Sequence, residues 1–270
     1  MRWCCKPIAA LIVTMLLFCV PLRSGSAIPP SNFLYFNPDS IHNNLSGLKE
    51  AMDAFLSASG FSFSFQPFAR FHDFDREVRN NASAFIFLPE WYLHQDGNDK
   101  RFKPFLLPVR RGGTTYRKVL LVAADSLLTA EKLADTTIAM TPVGQAGLAV
   151  LDEAIFKRIG LRGKELNFIT TAKDSDAIFA LALRQVNAAL VSQDNLEHVG
   201  SINPRLFKMV KVLAVSNPVP LPVLCYVNGA VSAREVDRMR KVLLAGKDGG
   251  PAAHIMDMLK IDTWRIPNAE

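Results

Sequence analysis

The densest group of side chains able to do chemistry is His72-Asp73-Phe74-Asp75, which places an imidazole and two carboxylates within four residues. These are metal-ligating groups, but a metal site would need further ligands from elsewhere in the chain, and a solvated helix start is the simpler interpretation. The other histidines are scattered singly and are predicted to lie at the surface: His42, His94, His198 and His254. We therefore predict no metal site and no cofactor.

Motifs for catalysis are missing from the sequence. It contains no Gly-x-Ser-x-Gly elbow, no His-Glu-x-x-His, no phosphate-binding P-loop and no Gly-x-Gly-x-x-Gly after a strand. We predict a protein that is not an enzyme. Cys225 lies in an apolar stretch, where a cysteine is most simply a small buried hydrophobic residue.

The first 27 residues predict export. Two cations, Arg2 and Lys6, precede an apolar run from Ile8 to Val20, and small residues follow at Gly25-Ser26-Ala27. An apolar run of 13 residues is too short to span a bilayer comfortably, which favours a cleaved signal peptide over an uncleaved membrane anchor. We predict a periplasmic protein that begins after Ala27.

The charge of the predicted mature chain argues against nucleic-acid binding. Three of the 31 Lys and Arg residues lie in the signal, so 28 cations face 25 carboxylates and the net charge is +3. A nucleic-acid protein would carry a larger excess, clustered on one face. The cysteines of the signal would also be lost, so Cys225 stands alone and no internal disulfide can form.

Strands and helices are predicted to alternate in two blocks. Strand, helix, strand, helix, strand over residues 33–88 predicts parallel pairing through right-handed crossovers, and a second such block covers 137–191. Between them, Arg110 to Gly113 is predicted to be a hairpin turn joining two strands. Two α/β blocks indicate two lobes joined by a hinge, with ligands collecting at the carboxyl ends of strands. A single continuous α/β domain is the alternative.

Four stretches, in their order and spacing, carry a resemblance to a known family: Ala82 to Tyr92, Tyr116 to Val122, Gln185 to Ser192, and Val215 to Pro222. The chain resembles the type II periplasmic binding proteins, specifically the phosphate, phosphite and phosphonate binding components of ABC transporters. The resemblance implies a two-lobed α/β fold with a hinge and an interlobe cleft. Lobe one would comprise residues 28–122 and 214–270, and lobe two residues 123–213.

The resemblance also implies an anion site at the start of the main helix of lobe two. The corresponding residues here are Thr141, Val143, Gly144, Gln145, Ala146 and Gly147. Free backbone N–H groups and the helix dipole suit an oxyanion there. The family's serines are missing, however, and each lost hydroxyl donor costs about 1 kcal/mol, so tight phosphate binding is not expected. The alternative is an ordinary glycine-rich turn before a helix.

Further ligand contacts are expected at strand ends facing the cleft, and each has a structural alternative. Asn37 and Asp39 end the first strand, where such residues also favour turns. Glu90, Trp91 and Tyr92 follow the third strand and could stack on a solute or simply pack at a lobe edge. Asp194 could recognise an amine or cap a helix. Ser216 is expected to serve the hinge or the return turn.

We therefore predict an exported solute-binding protein that captures a small anionic ligand in an interlobe cleft for an ABC importer. Its partners would be that ligand and a membrane permease, and we expect a monomer. One alternative is a periplasmic sensory or accessory protein of the same fold that presents its bound state to a membrane sensor. Another is an exported enzyme whose active site occupies the same cleft.

Overall fold

The computed structural model describes residues 32–40, 44–95 and 97–267. The predicted signal peptide and His42 lie outside these ranges. Within them the strands are β1 (Asn32–Phe36), β2 (Ser64–Phe68), β3 (Ser83–Leu88), β4 (Phe102–Val109), β5 (Thr115–Tyr116), β6 (Lys118–Ala123), β7 (Thr137–Met140), β8 (Asn167–Thr170), β9 (Ala188–Ser192), β10 (Val210–Val215), β11 (Val219–Pro220), β12 (Val223–Val227) and β13 (Thr263–Arg265). The α-helices are α1 (Leu45–Ala58), α2 (Phe71–Asn80), α3 (Asn98–Arg101), α4 (Gln145–Leu151), α5 (Asp174–Ala182), α6 (Gln193–Ile202), α7 (Pro204–Phe207), α8 (Ala233–Leu244) and α9 (Pro251–Leu259).

The first sheet has six strands in the order β13-β4-β12-β3-β1-β2. β1 pairs in parallel with both β2 and β3, as the strand–helix alternation predicted. β3 is buried on both faces because its apolar run is unbroken. Phe85 and Phe87 pack into one core with α1, α8 and α9, while Ile86 and Leu88 pack into a second core with α2.

The second sheet has five strands in the order β10-β6-β9-β7-β8. β7 pairs in parallel with β8 and β9, whereas β6 pairs antiparallel with β9 and β10. Alternate residues of β6 feed two cores, one containing Leu121 with α5 and α6, the other containing Leu120 with the helix that starts at Gln145. The molecule therefore has two α/β lobes, each built on its own sheet.

A two-stranded ribbon of β5 and β11 lies where the chain passes between the sheets. The predicted turn at Arg110 to Gly113 is present, with hydrogen bonds in both directions between these two residues and positive φ at Arg111 and Gly112. Its flanking strands do not form a hairpin as predicted, because β4 belongs to the first sheet and β6 to the second. The predicted lobe boundary at 122/123 falls inside β6, whose pairing partners all lie in the second sheet.

Short sequence patterns account for the position of several secondary-structure elements. Ser232 and Glu235, three residues apart as in a capping box, form that box at the start of α8, and Gly60 has positive φ just past α1. The alternation of phenylalanine and serine from Phe61 to Phe65 indicates a strand, but β2 begins at Ser64 and Phe61 packs into the first-lobe core ahead of it. The helical stretch that begins as α4 at Gln145 continues through a π-helical turn and a final 3-10 turn, and ends at Gly160. Among the described residues, no helix combines the length and apolarity needed to cross a membrane.

Candidate functional site

Polar side chains converge between the two lobes, at the ends of four strands. Asp39 follows β1 of the first sheet, and Thr141 follows β7 of the second. Lys118 begins β6 and pairs with Ser192 at the end of β9, so both lie at the same edge of the second sheet. The carboxyl ends of parallel strands are where open α/β folds place their ligands, and this convergence marks the candidate site.

The Asp39 carboxylate is held by donors from beyond its own lobe. Lys118 Nζ donates to Asp39 Oδ1, Tyr116 Oη donates to Asp39 Oδ2, and Thr141 Oγ1 lies 3.5 Å from Oδ1. Asn195 Nδ2 donates to the Asp39 backbone oxygen at 3.1 Å. We call Tyr116, Lys118, Thr141 and Asn195 the donor cluster. Three of its members belong to the second lobe, and Tyr116 lies in the β5–β11 ribbon.

Lys118 is a buried cation whose charge is stabilised by two neighbouring carboxylates, those of Asp39 and Asp174. Its side chain is 2% exposed, and burial by itself lowers the pKa of its ammonium group. The neighbouring carboxylates Asp174 and Asp39 outweigh burial, so the pKa of Lys118 is raised above its ordinary value. Ser216 fixes the backbone of this residue, since Lys118 N donates to Ser216 Oγ at 2.8 Å and Ser216 N donates to Lys118 O at 2.8 Å.

Asp174 is the second carboxylate beside Lys118. Its Oδ2 accepts from Ser192 N at 2.7 Å and from Asn195 Nδ2 at 3.0 Å. Its Oδ1 lies 3.9 Å from Lys118 Nζ and has no hydrogen-bond partner among the described residues. Burial raises the pKa of Asp174 to about 6, against the lowering effect of the Lys118 charge. Two carboxylates thus share one buried ammonium group.

Tyr116 serves as a hydrogen-bond donor in this site. Burial raises the pKa of its phenol well above the ordinary value, and the Asp39 charge raises it further. The phenol therefore stays protonated at neutral pH and can donate to an anion. Lys118, Tyr116 and Asn195 together form a site suited to an oxyanion.

The predicted anion segment at the start of α4 is covered by an aromatic side chain of the first lobe. A Cβ added to Gly147 would lie 2.8 Å from Val143 Cβ and 3.0 Å from the Trp91 ring, so only glycine fits this contact. A Cβ on Gly144 would lie 2.9 Å from the amide nitrogen of Gln95. Val143 and Ala146 pack against the core that contains Trp91. The lobes therefore touch at this segment.

An open groove of about 840 Å³ lies beside this contact. Its first-lobe wall includes Arg79 and Arg101, and its second-lobe wall is Gly144, Gln145 and Ala146. Arg79 Nε pairs with Asp75 at 2.9 Å, and Arg101 Nη2 donates to Val78 O at 2.7 Å. Both guanidinium groups are therefore already partnered by first-lobe groups.

A second set of charges joins the lobes at the outer edge of the cleft. Arg110 Nη1 lies 3.2 Å from Asp194 Oδ2, and Arg111 Nη1 lies 3.1 Å from Asp194 Oδ1 and 2.9 Å from Glu197 Oε2. We call these four residues the rim cluster. Helix capping by Asp194 was the wrong alternative, because Ser192 caps α6 by accepting from Asn195 N at 3.2 Å.

The other predicted site residues have local roles in the structure. Asn37 Oδ1 accepts from Asp39 N at 3.1 Å and holds the turn after β1. Glu90 pairs with His94 at 3.0 Å on the surface. Tyr92 Oη donates to Asp75 at 2.7 Å and its ring packs in the first-lobe core, where burial raises its pKa. The structure therefore brings Asp39, Thr141 and Ser216 together, but not Glu90 or Tyr92.

Four residues of the site were missed by the sequence analysis: Tyr116, Lys118, Asp174 and Asn195. One signal was available, since Lys118 directly precedes the apolar run Val119 to Ala123, where a cation at a buried strand needs a partner. Nothing comparable marked Asp174 or Asn195, which look like ordinary helix-start residues.

A metal centre finds no support in the part of the chain that the structure describes. No group of three or more His, Cys, Asp or Glu side chains is arranged to hold an ion there. His72 is 83% exposed at the start of α2, and Asp73 pairs with Arg76 at 2.9 Å. The stretch around His72 is the solvated helix start that the sequence favoured.

Several solved structures of binding proteins have a similar fold. A binding protein component of a phosphonate ABC transporter from Pseudomonas aeruginosa is 16% identical, with a TM-score of 0.71 over 88% of this chain and 81% of that one. PhnD1 from Prochlorococcus marinus, in complex with methylphosphonate, is 11% identical, with a TM-score of 0.69 over 88% and 93%. The glutamate-bound GluR0 ligand-binding core of Nostoc punctiforme is 14% identical, with a TM-score of 0.56 over 86% and 99%.

These likenesses establish the two-lobed fold that the sequence predicted. No curated protein matches the chain. A family model described as the periplasmic substrate-binding protein of phosphonate ABC transporters matches residues 33–270, which is nearly all of the chain beyond the predicted signal. The chain therefore belongs to the family of periplasmic substrate-binding proteins of phosphonate ABC transporters, and it is a solute-binding component of an ABC importer.

Proposed function

We propose that the solute is a small anion and that its charged group binds to the donor cluster between the lobes. The observation that carries this proposal is the convergence of Lys118 Nζ and Tyr116 Oη on one carboxylate, that of Asp39. A set of donors that holds a carboxylate can hold the carboxylate or phosphonate of a solute by the same bonds. Hydrogen bonds to charged groups are roughly twice as strong as neutral ones, and burial strengthens them further.

The donor cluster offers fewer hydroxyl groups than a serine-rich anion segment would. Thr141 and Tyr116 are its hydroxyl donors, and the Thr141 contact is long at 3.5 Å. The charge of Lys118 makes up for the missing hydroxyl groups, since it is the cation of the cluster. The methylphosphonate complex of PhnD1 supports an anion of this general kind. We infer that this chain selects its solute by charge more than by a full shell of hydroxyl contacts.

We also propose that residues 1–27 act as a cleaved signal peptide, as their cationic start and short apolar run suggest. The mature chain works as a monomer that delivers its solute to a membrane permease. It does no chemistry on the solute, in keeping with a family of binding proteins.

A thermal-shift screen of the mature protein tests the proposal. The panel comprises phosphate, methylphosphonate, sulfonates, carboxylates and amino acids. A solute at 100 times its dissociation constant adds about 2.7 kcal/mol to the free energy of unfolding, which is an easily visible shift. We expect at least one anion to give this shift, and a panel in which none of the anions stabilises the protein would contradict the proposal.

A matched pair of variants locates the site. Thr141→Val keeps the size of a fully buried side chain and removes its hydroxyl, so we expect weaker binding of the active anion by about 1 kcal/mol. Gln145→Leu changes an exposed side chain at the start of α4 and is expected to leave affinity unchanged. Equal affinities for wild type and Thr141→Val would remove Thr141 from the site, and a loss in Gln145→Leu would place the solute in the open groove beside the start of α4.

A further inference from the structure

The donor cluster is occupied by a side chain of the protein itself. Asp39 belongs to the first lobe, and every group that bonds its carboxylate lies in the second lobe or in the connecting ribbon, within the described residues. Its backbone oxygen is bonded by Asn195 of the second lobe as well. This is the arrangement that a solute has when two lobes close around it, with the guest supplied by one lobe.

We propose that Asp39 is a tethered ligand, which bridges the lobes through the donor cluster and which an anionic solute must displace from that cluster. The inference rests on the proposed function in taking the donor cluster to be the anion site. It adds that binding is an exchange of one carboxylate for another anion.

The position of Asp39 is set by its own lobe. Asn37 Oδ1 accepts from Asp39 N at 3.1 Å, in a turn that directly follows β1. The carboxylate is thus presented to the second lobe from a fixed support. A group tethered in this way competes at a high effective concentration, commonly millimolar or above, against any free anion.

The charges around Lys118 explain why exchange is required. Asp39 and Asp174 already share the one ammonium group, and Asp174 Oδ1 has no hydrogen-bond partner in the described part of the chain. A third anionic group beside them would face repulsion at low dielectric from two carboxylates. An anion can therefore enter only as Asp39 leaves, and departure of Asp39 breaks the buried ion pair that joins the first lobe to the second.

A purely structural ion pair is the competing interpretation, and removal of the Asp39 carboxylate distinguishes the two. A structural pair would leave a destabilised protein whose lobes stay closed through other contacts. A tethered ligand would leave an open protein with a vacant anion site, which small free anions can fill and close again.

The experiment uses Asp39→Ala, which makes room for a free anion, and Asp39→Asn, which removes the charge with little change in size. The matched control is Asp53→Ala. Like Asp39, Asp53 is bonded by a lysine, with Lys49 Nζ donating to it at 2.7 Å. It also accepts from Phe65 N at 2.7 Å, and both partners lie in the first lobe. The radius of gyration from small-angle scattering and calorimetric titration with acetate and methylphosphonate are measured for each protein.

We expect Asp39→Ala to have a larger radius of gyration than wild type, and methylphosphonate to restore the smaller value. Its affinity for methylphosphonate should exceed that of wild type by at least about tenfold, because the tethered competitor is gone. Asp39→Asn should also open but should gain less, since its amide still fills the space. Asp53→Ala should lose thermal stability with its radius of gyration unchanged.

A compact Asp39→Ala protein that ignores both anions would overturn the inference, as would equal affinity of wild type and Asp39→Ala for methylphosphonate. If Asp39→Ala does not fold, Asp39→Asn takes its place. A radius of gyration of Asp39→Asn equal to that of wild type would then overturn the inference. The proposed function fails separately. A wild-type protein that binds no anion contradicts that proposal even when Asp39→Ala opens and closes as expected.

Discussion

Two sets of ion pairs join the lobes, and they differ in burial. In the central group of Asp39, Lys118 and Asp174, the lysine side chain is 2% exposed and Asp174 is fully buried. In the rim cluster, Arg111 is 65% exposed and Glu197 is 43% exposed, although Arg110 and Asp194 are mostly buried. Similar charges thus face very different surroundings. Breaking a buried pair costs several kcal/mol because the remaining charge is left without water, whereas an exposed pair contributes 1 kcal/mol or less, by order of magnitude.

The rim cluster itself combines an anchored cation with a solvated one. Arg110 is 14% exposed, and its guanidinium group donates to the carbonyl oxygens of Lys260 at 2.8 Å and Leu259 at 3.3 Å as well as pairing with Asp194. Arg110 is therefore anchored in the first lobe, and Arg111 beside it is a solvated partner. The Arg111–Glu197 pair is exposed on both sides, whereas Arg110 and Asp194 are mostly buried.

The largest effect is expected from Lys118→Met. This change leaves Asp39 and Asp174 buried next to each other without a cation, which should cost about 3–5 kcal/mol of unfolding free energy at neutral pH. Urea denaturation monitored by circular dichroism measures the loss. A loss below about 1 kcal/mol would mean that the central group behaves like a rim pair.

Gly147→Ala should give the next largest effect. The added methyl group would lie 2.8 Å from Val143 Cβ and 3.0 Å from the Trp91 ring, so overpacking at the lobe contact should cost about 1–3 kcal/mol. Thermal unfolding and small-angle scattering measure the stability and the opening. Gly113→Ala is the control, because its nearest atoms would lie 3.9 Å away. Equal stability and equal radius of gyration of the two variants would show that the lobe contact accommodates the added methyl group without loss of stability.

Asp174→Asn should alter the pH dependence of stability. The pKa of this carboxyl is raised to about 6 in the folded protein, mainly by burial, against about 3.9 when unfolded. Between these values the folded state binds more protons, so this group makes stability fall as pH rises from about 4 to 6. Asp174→Asn should remove that slope in denaturation curves collected across the range. An unchanged slope would assign the effect to another group.

The smallest effect is expected from Arg111→Ala. Arg111 is 65% exposed and its partner Glu197 is 43% exposed, so the loss should be about 0.2–1 kcal/mol and should shrink further in about 1 M salt. A double-mutant cycle with Glu197→Ala, followed by urea denaturation at low and high salt, isolates the pair. A coupling energy above about 2 kcal/mol that does not fall at high salt would mean that the Arg111–Glu197 pair is as strong as the pairs of the central group.

Much of the fold could be predicted from the sequence because it rests on local patterns. The unbroken apolar run of β3 is typical of a strand buried on both faces, and Ser232 with Glu235 is the pattern of the capping box that starts α8. The split of β4 and β6 between sheets could not be predicted, because a turn with the right residues says nothing about which sheet its second strand joins. Pairing partners far along the chain decide that point.

The site was predicted only in outline. Asp39, Thr141 and Ser216 were placed by their positions after strands, which is where α/β folds gather polar groups. The residues that hydrogen-bond Asp39 lie far from it in sequence, with Lys118 separated from it by 79 residues and Asn195 by 156. No periodicity or motif relates such residues. Their contact is a property of the closed lobes, and only the three-dimensional structure shows it.

The contact between Trp91 and Gly147 gives the protein a built-in optical probe. The sequence has three tryptophans, of which Trp3 lies in the predicted signal peptide and Trp264 is buried in the first-lobe core. Trp91 alone among the described tryptophans lies against the opposite lobe. Parting of the lobes would expose its indole to water and shift its emission to longer wavelength, so opening could be followed in real time without an attached dye.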